Sequence, residues 1–264
     1  MAVFISVVSH GHGRIIRELD CLRKLNEHFN VVVKINKEDT ILVDYLSRNH
    51  IEYIDRDYGL GFGHNNNVVF SYCKEKFDMN CDDFFIVLNP DVVSDVNMIN
   101  KLVLSMKEEM ISLAAVNLFK DSDFKVFDNS IRKFPTLRSF ISSFLKLGNL
   151  TIVDKALVGQ PTTVDWAAGS CLAFKVSHYA ILKGFDENYF MYCEDIDICY
   201  RSKKLGVPVT FFPDIKMQHL AEHANRKIFS QHFFWHVRSV FRFLMMRRGF
   251  TKQKSSLFAI LANS

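Results

Sequence analysis

No acidic residue follows Glu222 in this 264-residue chain, whereas Arg226, Lys227, Arg238, Arg242, Arg247, Arg248, Lys252 and Lys254 all do. The last 42 residues therefore carry +8 and everything before them −4, an imbalance hidden by the overall charge of +4. A basic end without compensating acids suits an anionic partner such as a phospholipid surface, a lipid diphosphate or nucleic acid.

Other absences narrow the class. The six cysteines (Cys21, Cys73, Cys81, Cys171, Cys193 and Cys199) include no C-x-x-C pair, which argues against the usual zinc and redox spacings. The apolar start from Ala2 to Val8 has neither the basic flank nor the cleavage site of a signal peptide, so the expectation is reduced thiols in a cytoplasmic protein. No stretch reaches the roughly 18–20 uninterrupted apolar residues of a membrane-spanning helix, so membrane contact is expected to be peripheral. Internal repeats and low-complexity segments are also missing. With 48% hydrophobic and 23% charged residues, disorder is excluded. The length allows a sizeable core in one large α/β domain with a C-terminal extension.

What is present is alternation. Ala2 to Ser9 is a β-branched run that ends at Gly11 and Gly13 and reads as a buried strand leading into a helix from about Arg14. Strand patterns follow at Asn30–Ile35, about 52–54 and 83–88, separated by helical stretches near 38–48 and 66–76. Val164 to Lys175 reads as a strand kinked at Gly169 and Ser170. A helix from Glu194 to Lys204 stops at Gly206 before a strand from Val207 to Phe212, and Ile228 to Arg248 reads as an aromatic, basic helix. This order predicts a mostly parallel sheet covered by helices on both faces. Residues 120–163 show no clear period and are expected to form an excursion on the acceptor side. Ligands of such sheets bind beyond the carboxyl ends of the strands, which directs attention to Ser9, Asn36, the Gly59–Asn67 loop and Asn89-Pro90-Asp91.

Asn89 and Asp91 stand two residues apart at a strand end, on one face. Oxygen ligands so placed suit Mg2+ or Mn2+, whose remaining positions go to water and a substrate diphosphate. Taken alone, the same residues also make an ordinary strand-ending turn. Glu194, Asp195 and Asp197 bring three carboxylates to the first turn of a helix. An N-cap explains one of them; mutual repulsion within the cluster is expected to raise at least one pKa toward that of a general base. The loop containing Gly59, Gly61 and Gly63 allows close backbone approach to a ligand, with Asn65, Asn66 and Asn67 opening a helix, or is a simple amide-capped turn. It is neither a P-loop nor a dinucleotide fingerprint. His219 and His223 have the i, i+4 spacing of zinc ligands on a helix but lack an H-E-x-x-H pattern.

Together these elements resemble the family 2 glycosyltransferases of GT-A fold, particularly the bacterial L-rhamnosyltransferases of O-antigen synthesis. The likeness runs from Ile5 to about Arg242. It is most specific in GFDENYFMYCEDIDICYR, Gly184 to Arg201, and is supported by Gly61-Phe62-Gly63-His64-Asn65-Asn66, by Leu88 to Asp91, by Val164 to Ser170, by the RKFP segment at Arg132 to Pro135 and by His219. The resemblance implies a GT-A (Rossmann-like, nucleotide-diphospho-sugar transferase) fold over residues 1–222, with a nucleotide-sugar half at about 1–119, an acceptor and catalytic half at about 120–222, and a helical basic extension at 223–264.

It further implies donor binding by Ser9, Gly61, Phe62, Gly63, Asn65, Asn66, Asn89 and Asp91, and acceptor binding by Trp166, Gly169 and Ser170. Asp91 and His219 would hold Mg2+ or Mn2+, and Asp195 would be the base with Glu194 and Asp197 in support. The implied donor is dTDP-L-rhamnose and the implied acceptor undecaprenyl-diphosphate-linked N-acetylglucosamine, used at the cytoplasmic face of the bacterial inner membrane against an anionic lipid surface. The chain departs from the family pattern at Lys34-Ile35-Asn36, where the acid expected to contact the nucleotide base is missing. A noncatalytic nucleic-acid-binding module is the competing reading; it would use the basic end, but the other 222 residues are net acidic and carry no nucleic-acid motif.

Overall fold

The computed structural model describes residues 1–144, 151–221 and 231–258. Val3–Ser9 (β1), Asn30–Ile35 (β2), Glu52–Ile54 (β3) and Phe84–Leu88 (β4) form the parallel half of the sheet, in the order β3-β2-β1-β4. Val92–Val93 (β5), Leu113–Phe119 (β6), Ile131–Arg132 (β7), Thr162–Val164 (β8), Trp166–Ala167 (β9), Cys171–Lys175 (β10) and Val209–His219 (β11) follow along the chain. The sheet continues from β4 through β10 and β6 to β11 and β5, and β8 also pairs with β11. β6 and β11 are parallel to each other, while β10 runs antiparallel to both β4 and β6, so the main strands share one direction around a single reversed strand.

The helices Gly13–Leu19 (α1), Cys21–Asn26 (α2), Thr40–Arg48 (α3), Phe62–Lys76 (α4), Val96–Glu108 (α5), Leu137–Phe144 (α6), Val176–Ile181 (α7), Glu194–Lys204 (α8) and Gln231–Arg247 (α9) complete the described elements. Strand side chains alternate between faces. Phe4, Val32, Phe85, Val87, Leu172 and Phe174 therefore pack with α4, α7, α8 and α9. Ile5, Val7, Val31, Val33, Ile86 and Leu88 meet α1, α2, α3 and α5. This is the two-faced α/β layering that the alternation predicts.

Two strand boundaries differ from the sequence expectation. The single kinked strand over Val164 to Lys175 is instead three: β8 on β11, β9 in a separate two-stranded ribbon with β7, and β10 in the centre of the main sheet. The chain changes sheets at Ala168 to Ser170, where a Cβ on Gly169 would stand 3.0 Å from the Phe62 ring. The last strand also continues well past Phe212. Its register with β6 shifts between Phe212 and Lys216, which accommodates Pro213, and Asn117 Nδ2 donates to the Pro213 carbonyl at 3.0 Å. That extension makes His219 the last residue of β11, so His219 is not on a helix, and His223 lies outside the described residues.

The described part of the basic end is integrated into the fold. Val240 and Phe243 of α9, together with Leu257, join the core cluster beneath α8. Arg242 pairs with Asp186 at 2.6 Å, and Arg247 donates to the Pro135 carbonyl at 2.7 Å. Ile228 to Ser230, expected to begin this helix, are not among the described residues. No described helix is long and apolar enough to cross a membrane. All six cysteines are free thiols, and Cys81 alone is exposed.

Candidate active site

β4 ends in a turn in which Val92 N donates to the Asn89 carbonyl at 3.1 Å. The short β5 then runs antiparallel to the end of β11, placing Val92 opposite His219, and Leu220 N closes on the Asp91 carbonyl at 3.1 Å. This pairing brings together residues 128 positions apart in sequence: His219 Nε2 lies 3.4 Å from Asp91 Oδ1. On the other flank of the ring, Nδ1 is 2.6 Å from Asp128 Oδ2. Burial alone would lower the His219 pKa, but hydrogen bonds to Asp128 and Asp91 prevail and raise it to about 9. Burial opposes ionisation of Asp91 and Asp128, yet the hydrogen bond from His219 holds both below the usual carboxylate range.

A carboxylate oxygen and an imidazole nitrogen facing each other form a donor set that suits Mn2+ or Mg2+. Among the described residues no cluster of three or more His, Cys, Asp or Glu side chains is arranged to hold a metal. The pair therefore fits an ion that takes its remaining ligands from water and substrate.

The carboxylate cluster opens α8. Cys193, at the N-cap, has φ 63° and provides no side-chain cap. The acids are not serving as N-caps either. Asp195 accepts the backbone N–H of Gly169 at 3.2 Å on Oδ2 and that of Ile196 at 2.8 Å on Oδ1. Asp197 lies on another face of the helix, where it pairs with Arg201 at 2.7 Å and meets the Tyr189 hydroxyl at 3.4 Å. Glu194 is buried, and its Oε2 has no hydrogen-bond partner among the described residues. Its pKa is raised to about 8, first by burial and then by the charge of Asp195. Repulsion within the cluster, the cause expected from sequence, is thus the lesser one. Burial also raises Asp195, but the two backbone donors and the nearby charge of Arg132 favour its anion. Of the pair, Glu194, buried with an unpartnered oxygen, takes a proton the more readily, because Asp195 has two backbone donors.

The strand crossover at Ala168 to Ser170 ties these two groups together. Ser170 O accepts from Asn89 N at 2.9 Å on the Asp91 side, and Gly169 N reaches Asp195 on the other. Ala168 N donates to Ser130 O, next to β7. Trp166 stands opposite Arg132 across that ribbon, with the guanidinium 5.5 Å from the indole centroid. Gly169 and Ser170 thus link Asp195 to the Asp91 turn, while Trp166 is buried with its indole N–H donating to the Lys133 carbonyl at 3.0 Å.

The glycine and asparagine loop is placed differently from expectation. A Cβ on Gly61 would meet the Phe190 and Tyr189 carbonyls at 2.6 and 2.8 Å, and one on Gly63 would meet the Phe185 side chain at 2.6 Å. Their close approach is to the Phe185–Phe190 segment of this chain. Asn65 Nδ2 donates to the Leu60 and Gly61 carbonyls, and Asn66 accepts from Ser6 Oγ at 2.7 Å; both are fully buried. Asn67 Oδ1 accepts from Tyr179 and Phe185, while its Nδ2 donates to Phe185 and Glu187. These amides build the wall behind α8. Ser9 Oγ accepts His12 N at 3.1 Å and closes the loop after β1, from which the His12 charge helps to hold Asp91 ionised. Ile35 is core, and Asn36 clasps both the N–H and the carbonyl of Leu60 at 2.9 Å. Sequence reasoning missed Asp128 altogether, because it sits in a stretch without period.

The fold is that of sugar-nucleotide transferases. It matches Staphylococcus aureus TarS residues 1–349 in complex with UDP-GlcNAc (TM-score 0.55, 14% identity, 93% of this chain and 67% of that one). It also matches glucosyl-3-phosphoglycerate synthase of Mycobacterium tuberculosis in complex with Mn2+ and UDP-glucose (TM-score 0.59, 12% identity, 95% and 80%). With Asp91 just beyond β4 and Asp195 in the first turn of α8, the chain has a GT-A fold.

In sequence the chain is 38% identical to the rhamnosyltransferase WbbL of Escherichia coli K12 over 251 residues, 93% of this chain and 94% of that protein. It is 30% identical to the N-acetylglucosaminyl-diphospho-decaprenol L-rhamnosyltransferase of M. tuberculosis over 175 residues, 64% of this chain and 57% of that one. No family profile matches. The chain belongs to the rhamnosyltransferase family, which removes the nucleic-acid-binding reading.

Proposed function

We propose that this glycosyltransferase moves L-rhamnose from dTDP-L-rhamnose to undecaprenyl-diphosphate-linked N-acetylglucosamine, with inversion and an α-1,3 linkage, in O-antigen and lipopolysaccharide synthesis. The observation that carries the site assignment is the Ala168–Ser170 crossover, which joins the Asp91 turn to Asp195. The rhamnosyl group and a diphospho-polyprenol-linked N-acetylglucosamine are supported by the names of the rhamnosyltransferase relatives; dTDP and undecaprenol extend that reading. Asp195, charged and oriented by Gly169 and Ile196, takes the proton of the acceptor hydroxyl as that oxygen bonds to the anomeric carbon. The bond from that carbon to the diphosphate breaks with its electron pair, and dTDP leaves. Burial pushes the Glu194 carboxyl up, which favours the anion on Asp195 with its two backbone donors, and Asp197 fixes α8 through Arg201. Asp91 and His219 would hold Mg2+ or Mn2+, which when bound neutralises charge on the departing diphosphate. Ser9, Asn89 and the Gly61–Asn66 loop support the donor side, the loop through the wall it builds; Trp166, Gly169 and Ser170 face the acceptor.

The test is dTDP release from dTDP-rhamnose by purified protein, dependent on both divalent metal and the lipid-linked acceptor, within a panel that includes UDP-sugars. Equal turnover of a UDP-sugar would sink the donor assignment.

The acceptor reading extends to an anionic membrane surface at the cytoplasmic face of the inner membrane. Opposite its buried Val240 and Phe243, α9 exposes Phe234 (60%), Val237 (41%) and Phe241 (66%) beside Arg238. Apolar residues interleaved with arginine suit the headgroup region. As a domain scheme, residues 1–222 would form the transferase with its two halves and 223–264 the membrane-facing extension.

A further inference from the structure

We infer that Asp128 is a positioning residue for the metal site: its carboxylate fixes the His219 ring so that Nε2 faces Asp91. This rests on reading Asp91 and His219 as the metal ligands. An imidazole offers either nitrogen to a metal, and the partner of one decides which is left for the ion. Here Asp128 Oδ2 takes the Nδ1–H at 2.6 Å, and the other nitrogen is 3.4 Å from Asp91 Oδ1.

The three side chains come from the β4 turn, the loop after β6 and the end of β11, and sequence proximity explains none of the contacts. Asp128 is itself held. Its backbone N–H donates to the Leu118 carbonyl at 3.0 Å, Phe127 beside it bridges to Phe119, and the buried Lys155 ammonium donates to that same Leu118 carbonyl at 2.7 Å. A carboxylate on so braced a loop can hold a ring in one orientation before any substrate arrives. Asp91, Asp128 and His219 remain 15%, 17% and 12% exposed, so the group is open to an ion arriving from solvent.

The experiment measures Mn2+ binding by electron paramagnetic resonance, alone and with dTDP or UDP, for wild type, Asp128→Ala, Asp128→Asn and His219→Ala. Asp128→Ala is expected to weaken Mn2+ binding by about 10- to 100-fold while leaving nucleotide affinity in EDTA unchanged. Asp128→Asn, whose amide oxygen still accepts from Nδ1, is expected to lose less. Wild-type Mn2+ affinity in Asp128→Ala would overturn the inference. If that variant fails to fold, Asp128→Leu, which fills the space but accepts no hydrogen bond, takes its place, and wild-type affinity there would do the same. If His219→Ala binds Mn2+ like the wild type, the ligand reading itself fails, an outcome distinct from failure of Asp128 alone.

Discussion

The backbone N–H of Gly169 points at Asp195 Oδ2 across 3.2 Å, joining a strand crossover to the first turn of α8. One residue on, the Ser170 carbonyl takes the amide of Asn89 at 2.9 Å. Asp195 and the Asp91 turn are thus held to one short segment of backbone, and a shift in either is felt by the other.

Replacing Asp195 with Asn keeps the side-chain shape and one acceptor oxygen but removes the base. We expect kcat to fall by about 10^2- to 10^4-fold with little change in the affinity for the donor nucleotide. Asp197→Asn is expected to act differently, lowering thermal stability through loss of the buried Arg201 pair. Paired kinetics and thermal melts on the two variants separate the roles; comparable turnover in Asp195→Asn and wild type would remove Asp195 as base.

Glu194 should show itself in the pH dependence of stability. A carboxyl whose folded pKa is raised to about 8 from 4.5 makes the fold progressively less stable as pH rises from about 4.5 to about 8, because the unfolded chain ionises first. Glu194→Gln mimics the protonated form. It is expected to melt close to wild type at pH 5 and higher than wild type at pH 9; an unchanged difference across that range would show that Glu194 does not titrate as described.

Gly61→Ala would drive a methyl group into two backbone carbonyls, those of Tyr189 and Phe190. Neither can turn aside as a side chain would, and overpacking of this kind costs about 1–3 kcal/mol. A lowered melting temperature is expected, together with reduced turnover, since the same segment leads into Glu194. Gly59→Ala is not an equivalent control, because Gly59 has φ 72° but open space around it; any cost there comes from backbone conformation alone.

The exposed stripe on α9 predicts that Phe234→Ser with Phe241→Ser reduces flotation with anionic liposomes while preserving the fold. Deleting the whole extension is a poor test, because Val240, Phe243 and Leu257 are core residues, each contributing about 1.5–3 kcal/mol by burial. Unreduced flotation of the double variant would argue against α9 as the contact surface.

The strands were legible in the sequence because burial on both faces of a parallel sheet demands nearly continuous apolar runs, and β4 has one throughout while β1 and β2 are interrupted only at Ser6 and Lys34 within their spans. Asp91 and the Glu194–Asp197 cluster were legible because a strand end and a helix start announce themselves locally. The asparagines were visible as a motif, but their work was not: Asn66 finds Ser6 60 positions away, and Asn67 finds partners 112 to 188 positions away. Asp128 left no local trace.

The sequence by itself determined the layered α/β class, the basic end and the identity of the acids, since composition, periodicity and chain order are properties of the chain. Only tertiary structure decided that β11 passes Pro213 to carry His219 to Asp91, that Gly61 and Gly63 make room for protein and that Glu194 takes the proton before Asp195. Those outcomes depend on long-range strand pairing and on how much water each carboxylate loses, and neither quantity is encoded in neighbouring residues.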